Sequence, residues 1–228
     1  MTIGFDVISD LNLTKDDEFN WEGKATSLFC VIPGNISNDI DVVFKTLKHL
    51  STMYQGVFFI DGSAEYSTLE NHEQQVKAFR KLCKPLKNVV YLHDHVVILE
   101  GVAIVGVNGW YGNHKSETTF DMLWLDSYRC DDLSYLIKTI DRLQLHVDVK
   151  RIMLLSNGYP MKELYYGDDV IPSPLGPAYA LAQDTEEKVK VWVYGTCDKT
   201  MDTEINGVRY VNNSCHGRNP YWAKRIEI

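Results

Sequence analysis

The sequence predicts an α/β layered fold, and three observations carry that expectation. Short runs of β-branched and aromatic residues alternate with helix-period segments over the first hundred residues. Most of the β-rich runs end in Gly, Asn, Asp or Ser, the residues that turn a chain. After a long helical stretch in mid-chain, β-rich runs resume and continue towards the C-terminus.

In chain order, strands are expected at Ile3–Ser9, Ser27–Ile32, Val57–Ile60, Val89–Leu92, Val96–Leu99 and Val102–Val107. Between them, Ile40–Met53 places Val42, Val43, Leu47 and Leu50 near one face of a helix. Leu69–Leu86 repeats the arrangement with Val76, Phe79, Leu82 and Leu86, so both helices should cover sheet faces. Gly109-Trp110-Tyr111-Gly112 reads as a turn, and Ser116–Leu145 as one or two helices carrying Leu123, Leu125, Leu133, Leu136, Ile140 and Leu143. Strands return at Arg151–Leu155, Lys190–Tyr194 and Val208–Asn212. Tyr159–Pro177, rich in Gly and Pro, is expected to be a long loop, and loops of that length in compact domains cover or bind something.

With 228 residues, 45% of them hydrophobic, the chain fits one large domain spanning residues 1–228. No repeat, low-complexity tract or linker divides it. A net charge of −8 argues against a broad nucleic-acid footprint, which needs clustered Lys and Arg to neutralise phosphates. The five cysteines are widely spaced and include no C-x-x-C pair, which fits reduced thiols in a cytoplasmic protein. The chain opens Met-Thr-Ile-Gly-Phe-Asp with no basic and apolar leader, and no apolar run reaches the roughly 20 residues that span a bilayer, so no membrane association is expected.

Ligands of open α/β sheets collect beyond the carboxyl ends of strands. Those ends read Ser9-Asp10-Leu11-Asn12, Pro33-Gly34-Asn35, Asp61-Gly62-Ser63-Ala64-Glu65, Ser156-Asn157-Gly158 and Gly195-Thr196-Cys197-Asp198. In order and spacing these five segments resemble the blocks of calcineurin-like metallophosphoesterases: D-x-H, G-D, G-N-H-[DE], a lone His before a loop, and G-H-x-H. Gly34, Gly62 and Gly195 stand where the block glycines stand, and Gly101–Gly106 with Trp110, and Pro160 after the fourth block, extend the likeness over almost the whole chain. The resemblance implies an α/β (α+β) fold of four layers, αββα, with two mixed sheets flanked by helices. It also implies a phosphoesterase site with two metal ions about 3.5–4 Å apart that activate water and clamp phosphate oxygens.

The ligand residues of that site are largely replaced. Asp10 keeps the family's identity; Asn12 stands for a His, Asn35 for a bridging Asp, Ser63 for an Asn and Ala64 for a His, while Glu65 keeps the acidic residue that follows. Asn157 stands for the lone His, and Thr196 and Asp198 for the last two. Two divalent ions about 3.7 Å apart repel by on the order of 18 kcal/mol even at an effective dielectric of about 20. Only Asp10 and Asp198 offer charge against that repulsion. No catalytic residue and no cofactor are therefore expected; the alternative is a single Mg or Mn ion held by Asp10, Asn12 and Asp198 in an active, metal-poor phosphoesterase or nuclease-like hydrolase.

Each of these residues also has a structural reading. Asp10 and Asp198 suit turn-capping carboxylates, and Asn12 and Asn35 suit a neutral hydrogen-bond network that holds the loops in place of metal. His93 and His95, either side of Asp94, read as a solvated hairpin tip rather than a zinc pair. Cys215 and His216 are adjacent in a β-prone run and so should point to opposite faces, which disfavours a nucleophile with its base. The expected function is that of an inactive phosphoesterase homologue that binds a protein partner, pairs with copies of itself or serves as a subunit of an assembly. Divergence of this depth is common in viral and mobile-element genes, and for a viral protein the expected location is the host cytoplasm.

Overall fold

A computed structural model of the chain describes residues 2–66, 72–110, 112–113, 119–164, 170–171, 188–197, 199–217 and 221–228. In chain order the elements are β1 (Gly4–Val7), β2 (Phe29–Pro33), α1 (Ile40–Met53), β3 (Gly56–Ile60), α2 (His72–Cys83), β4 (Val89–Tyr91), β5 (His95–Leu99) and β6 (Val102–Val107). They continue with β7 (Gly112–Asn113), α3 (Thr119–Leu145), β8 (Arg151–Ser156), β9 (Val170–Ile171), β10 (Val189–Tyr194), β11 (Met201–Ile205), β12 (Val208–Asn212) and β13 (Lys224–Glu227).

Two mixed sheets form among the described residues, in the orders β13-β1-β2-β3-β4 and β11-β12-β10-β8-β6-β5. In the first, β1 to β4 run parallel and β13 is antiparallel to β1. In the second, β12, β10, β8 and β6 run parallel, while β11 and β5 close the edges antiparallel. The period-two alternation of strands divides the second sheet's side chains between two cores. Ile104, Met153, Leu155, Val191, Val193 and Val211 pack into one core with the first sheet, α1 and α2. Val105, Ile152, Leu154, Trp192, Tyr194 and Tyr210 pack into the other with Leu136, Ile140 and Leu143 of α3. The result is helix, sheet, sheet, helix, the four-layer arrangement expected.

Helix α1 occupies the expected span. Asp39 caps it, its carboxylate accepting the backbone N–H of Asp41 at 2.9 Å and of Val42 at 3.2 Å, and Val43, Thr46, Leu47 and Leu50 form the buried stripe. Helix α2 stops at Cys83 rather than Leu86 because Pro85 disfavours helical backbone at Lys84 and denies the helix an N–H. The stretch expected as one or two helices is a single helix from Thr119; residues 116–118 lie outside the described residues. In the expected Tyr159–Pro177 loop, Tyr159 is fully buried and Lys162–Leu164 forms a 3-10 turn. Val170–Ile171 pairs antiparallel with Gly112–Asn113, while residues 165–169 and 172–177 lie outside the description. Among the described residues no helix is long and apolar enough to cross a membrane.

Strands β11 and β13 carry no apolar run and were not expected from the sequence. β11, Met-Asp-Thr-Glu-Ile, alternates half-buried and exposed side chains, and Asn206 and Gly207 in left-handed backbone (φ 51° and 78°) turn it into β12. That Asn-Gly pair between alternating residues is the sequence signal for the hairpin. β13, Lys-Arg-Ile-Glu, is an edge strand with one buried side chain, Ile226, so it has no periodic signature.

Candidate functional site

The loops leaving β1, β2, β3, β8 and β10 meet where the two sheets face each other. Their backbone is unusual: Asp10 (φ 51°), Asn12 (47°), Asn35 (58°) and Thr196 (54°) are all left-handed. Asp and Asn tolerate this conformation, but for a β-branched Thr it is an outlier that the surroundings must enforce. The loops also approach too closely for side chains at their glycines. A Cβ on Gly62 would lie 2.4 Å from Asn35 Oδ1 and 2.5 Å from Asn157 Nδ2, and one on Gly195 would lie 2.4 Å from the Pro33 carbonyl oxygen.

Asp10 is buried at the centre of this junction. Its Oδ1 accepts the Asn35 side-chain amide at 2.8 Å and the Thr196 backbone N–H at 2.9 Å. Its Oδ2 accepts the Ser9 hydroxyl at 2.9 Å and the Asn212 amide at 3.4 Å. Burial pushes the Asp10 carboxyl above its ordinary value, opposed by the donors from Asn35, Ser9, Thr196 and Asn212.

Asn35 and Asn157 complete the network, and each is oriented by a group that can only donate or only accept. The backbone N–H of Ala64 donates to Asn35 Oδ1 at 2.9 Å, which turns Asn35 Nδ2 towards Asp10. The Ser63 N–H donates to Asn157 Oδ1 at 3.2 Å, while Asn157 Nδ2 donates to the Pro33 carbonyl at 2.8 Å. The Thr196 hydroxyl adds a bond to Asn157 Oδ1 at 3.0 Å. The structure therefore brings together Asp10, Asn35, Asn157 and Thr196, with the backbone of Ser63 and Ala64.

Asn12 stands apart. It is exposed, its backbone N–H donates to the Asn35 carbonyl at 2.9 Å, and among the described residues its side chain reaches only the Asp10 carbonyl, at 3.5 Å. The expected amide network thus forms through Asn35 and Asn157, not through Asn12. Asp198 lies outside the described residues.

Glu65 holds the second and third loops together. Its carboxylate accepts the backbone N–H of Gly62 (2.7 Å), Asn35 (3.0 Å), Ile36 (2.5 Å) and Ser37 (3.2 Å). Burial raises its pKa from 4.5 to about 7, against the pull of the Gly62, Ser37 and Ile36 donors. The sequence shows Glu65 as a retained acidic residue but not this role. Ser9 and Asn212 are likewise absent from the sequence-derived site; the signal was a Ser and an Asn at the carboxyl ends of strands.

A second buried polar group lies beside the first. Asp61 is fully buried and accepts the hydroxyls of Tyr66 and Tyr91 and the Asn108 amide. His93 Nδ1 is 3.7 Å from Asp61 Oδ1, and the imidazole is 8% exposed, so the expected solvated tip holds for His95 but not for His93. Burial alone would depress His93 and raise Asp61. Their mutual proximity reverses both, so His93 stands above its ordinary value, and Asp61, with the Tyr66 and Tyr91 hydroxyls, below. Trp110 packs edge-on against Tyr66 and His72 in the same cluster. Cys215 is buried and His216 exposed, so no nucleophile pair forms there.

The donor set does not suit a pair of divalent cations. A ligating carboxylate must present lone pairs to the ion, whereas each Asp10 oxygen is already faced by polarised hydrogens. Asn35 likewise turns its NH2, not its oxygen, towards Asp10. Among the described residues no three His, Cys, Asp or Glu side chains converge in a way that could hold a metal ion.

No protein-family model matches the chain. A relative, "Uncharacterized protein L509" of Acanthamoeba polyphaga mimivirus, is 20% identical over 262 residues that cover 94% of this chain and 92% of the relative. Among solved structures, the phosphopantetheinyl hydrolase PptH from Mycobacterium tuberculosis superposes with a TM-score of 0.65 at 15% identity, covering 97% of this chain and 95% of that one. A dimetal phosphatase from Danio rerio gives 0.50 at 8% identity, covering 93% and 87%. GAP50, the anchor in the inner membrane complex of Plasmodium, gives 0.53 at 14%, covering 95% and 72%. At such identities the likeness is one of fold: the chain is an α/β sandwich of two mixed sheets with flanking helices, of the metallophosphoesterase-like kind.

Proposed function

We propose that the chain is a metallophosphoesterase homologue without catalytic activity, which works by binding a protein partner or as a subunit of an assembly. The observation that supports this reading is the saturation of Asp10 by the Asn35 amide, the Thr196 N–H and the Ser9 hydroxyl. On the resemblance in sequence, this carboxylate and residue 35 would be metal ligands, and here they hydrogen-bond each other. Neutral amides do at this junction what cations would otherwise do: they join loops of both sheets around a buried charge. The description of GAP50, a neighbour in fold, as an anchor in the inner membrane complex of Plasmodium is in keeping with this reading. The viral relative is compatible with work in a host cytoplasm.

The second reading, an active metal-dependent phosphoesterase, draws on the hydrolase and phosphatase descriptions of two structural neighbours. It requires that Mg or Mn displace the donors around Asp10. A ligand that binds only the folded state at a hundred times its Kd adds about 2.7 kcal/mol of stability, several degrees of Tm for a chain of this size. Elemental analysis of the purified protein and thermal melts with manganese, magnesium and zinc separate the two readings. We expect substoichiometric metal, no reproducible rise in Tm and no turnover of phosphomonoester or phosphodiester panels; metal-dependent turnover lost in Asp10→Ala would overturn the proposal.

A further inference from the structure

Strand β4 is the outer strand of the first sheet, and among the described residues no strand pairs with its far edge. The bonds from Val57 N–H to the Asn88 carbonyl (2.8 Å) and from Leu92 N–H to the Phe59 carbonyl (2.7 Å) fix which groups face β3. In a parallel ladder alternate residues bond to each neighbour, so Asn88, Val90 and Leu92 point inward, and Val89 and Tyr91 point out. The Val89 N–H is taken by the Leu86 carbonyl at 3.1 Å. Among the described residues nothing takes the Val89 carbonyl or either backbone group of Tyr91, which face away from β3 although both residues bury most of their surface.

That edge forms one wall of an open groove of about 500 Å³. Arg80, Lys84 and Lys87, from the end of α2 and the turn after it, line the groove with Leu86 and Val90. All three cations are exposed, and no carboxylate among the described residues pairs with any of them. A helix C-terminus carries about half a negative charge, which three cations exceed, and among the described residues Asp94 is the one acid that lines the groove. In a chain of net charge −8 this is a local reversal of sign. The cations lie on the side of the sheet covered by α2, the side Tyr91 faces, since its ring meets Phe79 of α2 at 5.7 Å.

We infer that this groove takes an extended acidic peptide segment of a partner protein, which adds a strand to β4. The backbone of the segment would pair with Tyr91 and the Val89 carbonyl, and every second side chain would point to the α2 side, where Glu or Asp would meet the three cations. Single-stranded nucleic acid has the charge but no backbone N–H to match the strand edge, and the overall charge repels it. The inference names a surface for the partner-binding reading above, but it does not depend on whether the junction at Asp10 binds metal.

The test uses the full chain, a fluorescein-labelled peptide of alternating Glu and Thr, its Lys-Thr counterpart, a version N-methylated at alternate residues, and oligothymidylate. Saturable binding of the Glu peptide is expected, with amide NMR shifts centred on residues 80–91 and no binding of the Lys peptide. Affinity should fall at least about fivefold in Lys84→Glu/Lys87→Glu and with added salt. N-methylation on the edge-facing residues should abolish binding. The proposal fails if there is no saturation up to millimolar peptide, if the charge reversal or the N-methylation changes nothing, if shifts lie elsewhere, or if oligothymidylate binds tighter. The metal and turnover assays above are unaffected by any of these outcomes.

Discussion

The side chain of Asn157, at the end of β8, donates to the carbonyl of Pro33, at the end of β2, at 2.8 Å, so one amide ties the two facing sheets together. The same side chain accepts from the Ser63 N–H and the Thr196 hydroxyl, and the residue is 1% exposed. Replacing it by Ala strands the buried Pro33 carbonyl, at about 1–3 kcal/mol, and removes the bonds from the Ser63 N–H and the Thr196 hydroxyl, at about 0.5–1.5 kcal/mol each. Asn157→Ala should therefore lose about 2–4 kcal/mol in urea unfolding, with an unchanged m-value. Asn157→Asp keeps the acceptor but loses the donor to Pro33, and should lose stability mainly above the carboxyl pKa.

Asn35→Asp tests the neutrality of the junction directly. It would put a second carboxylate against Asp10 where an N–H now donates at 2.8 Å. Like charges at that distance keep one group protonated. The variant should be less stable than wild type at pH 8 by at least about 2 kcal/mol and should recover as the pH falls and the pair takes up the proton that lets one carboxyl donate to the other. If the loss at pH 8 is absent, Asn35 does not hold the orientation described. If manganese restores the variant but leaves wild type unmoved, the amide alone keeps cations out.

How much of this was legible beforehand varies with the physics of each feature. The core strands and α1 follow from apolar periodicity, because burial on one or both faces dictates it. Edge strands β11 and β13 bury few side chains, so their pairing leaves little mark on composition. The junction was legible as a set of strand ends, since turn residues there are constrained by backbone, but not in its wiring. Nothing local distinguishes Asn12, which is exposed, from Asn35, which is buried; the difference is that the N–H of Ala64 and the hydroxyl of Thr196 reach Asn35 from other parts of the chain. His93 and His95 look alike in sequence for the same reason, and only the position of Asp61 on β3's end separates them.

Thiol chemistry offers an independent check of burial. Cys30, Cys83, Cys197 and Cys215 are buried and Cys130 is exposed on α3, and burial pushes the Cys83 thiol up to about 12. Because only thiolates attack disulfide reagents, one thiol per native chain should react rapidly with Ellman's reagent, and all five after unfolding. Cys130→Ser should remove the fast phase without changing Tm by more than about 1 °C, as expected of an exposed position. Two or more fast thiols would mean that a core residue is open to solvent.

The pH dependence of stability should be set by Asp132 as well as Glu65. Asp132 is 5% exposed and accepts the Gly109 N–H at 2.7 Å. Burial raises its pKa from 3.8 to about 7, opposed by that N–H and by His93. A carboxyl whose folded pKa lies above its unfolded one binds more protons in the folded state, so its contribution favours folding below about pH 4 and is lost as pH rises towards 7. Asp61, held low, works in the opposite sense, and its contribution disappears on acidification. The variant Asp132→Asn isolates the first effect, since an amide of the same shape still accepts the Gly109 N–H but cannot ionise. It should equal wild type below about pH 4 and exceed it by on the order of 4 kcal/mol at pH 8, with the gap opening between about pH 4 and pH 7. A gap that closes as pH rises would show that Asp132 is held as a stabilising carboxylate, and that His93 beside it, not burial, governs its charge.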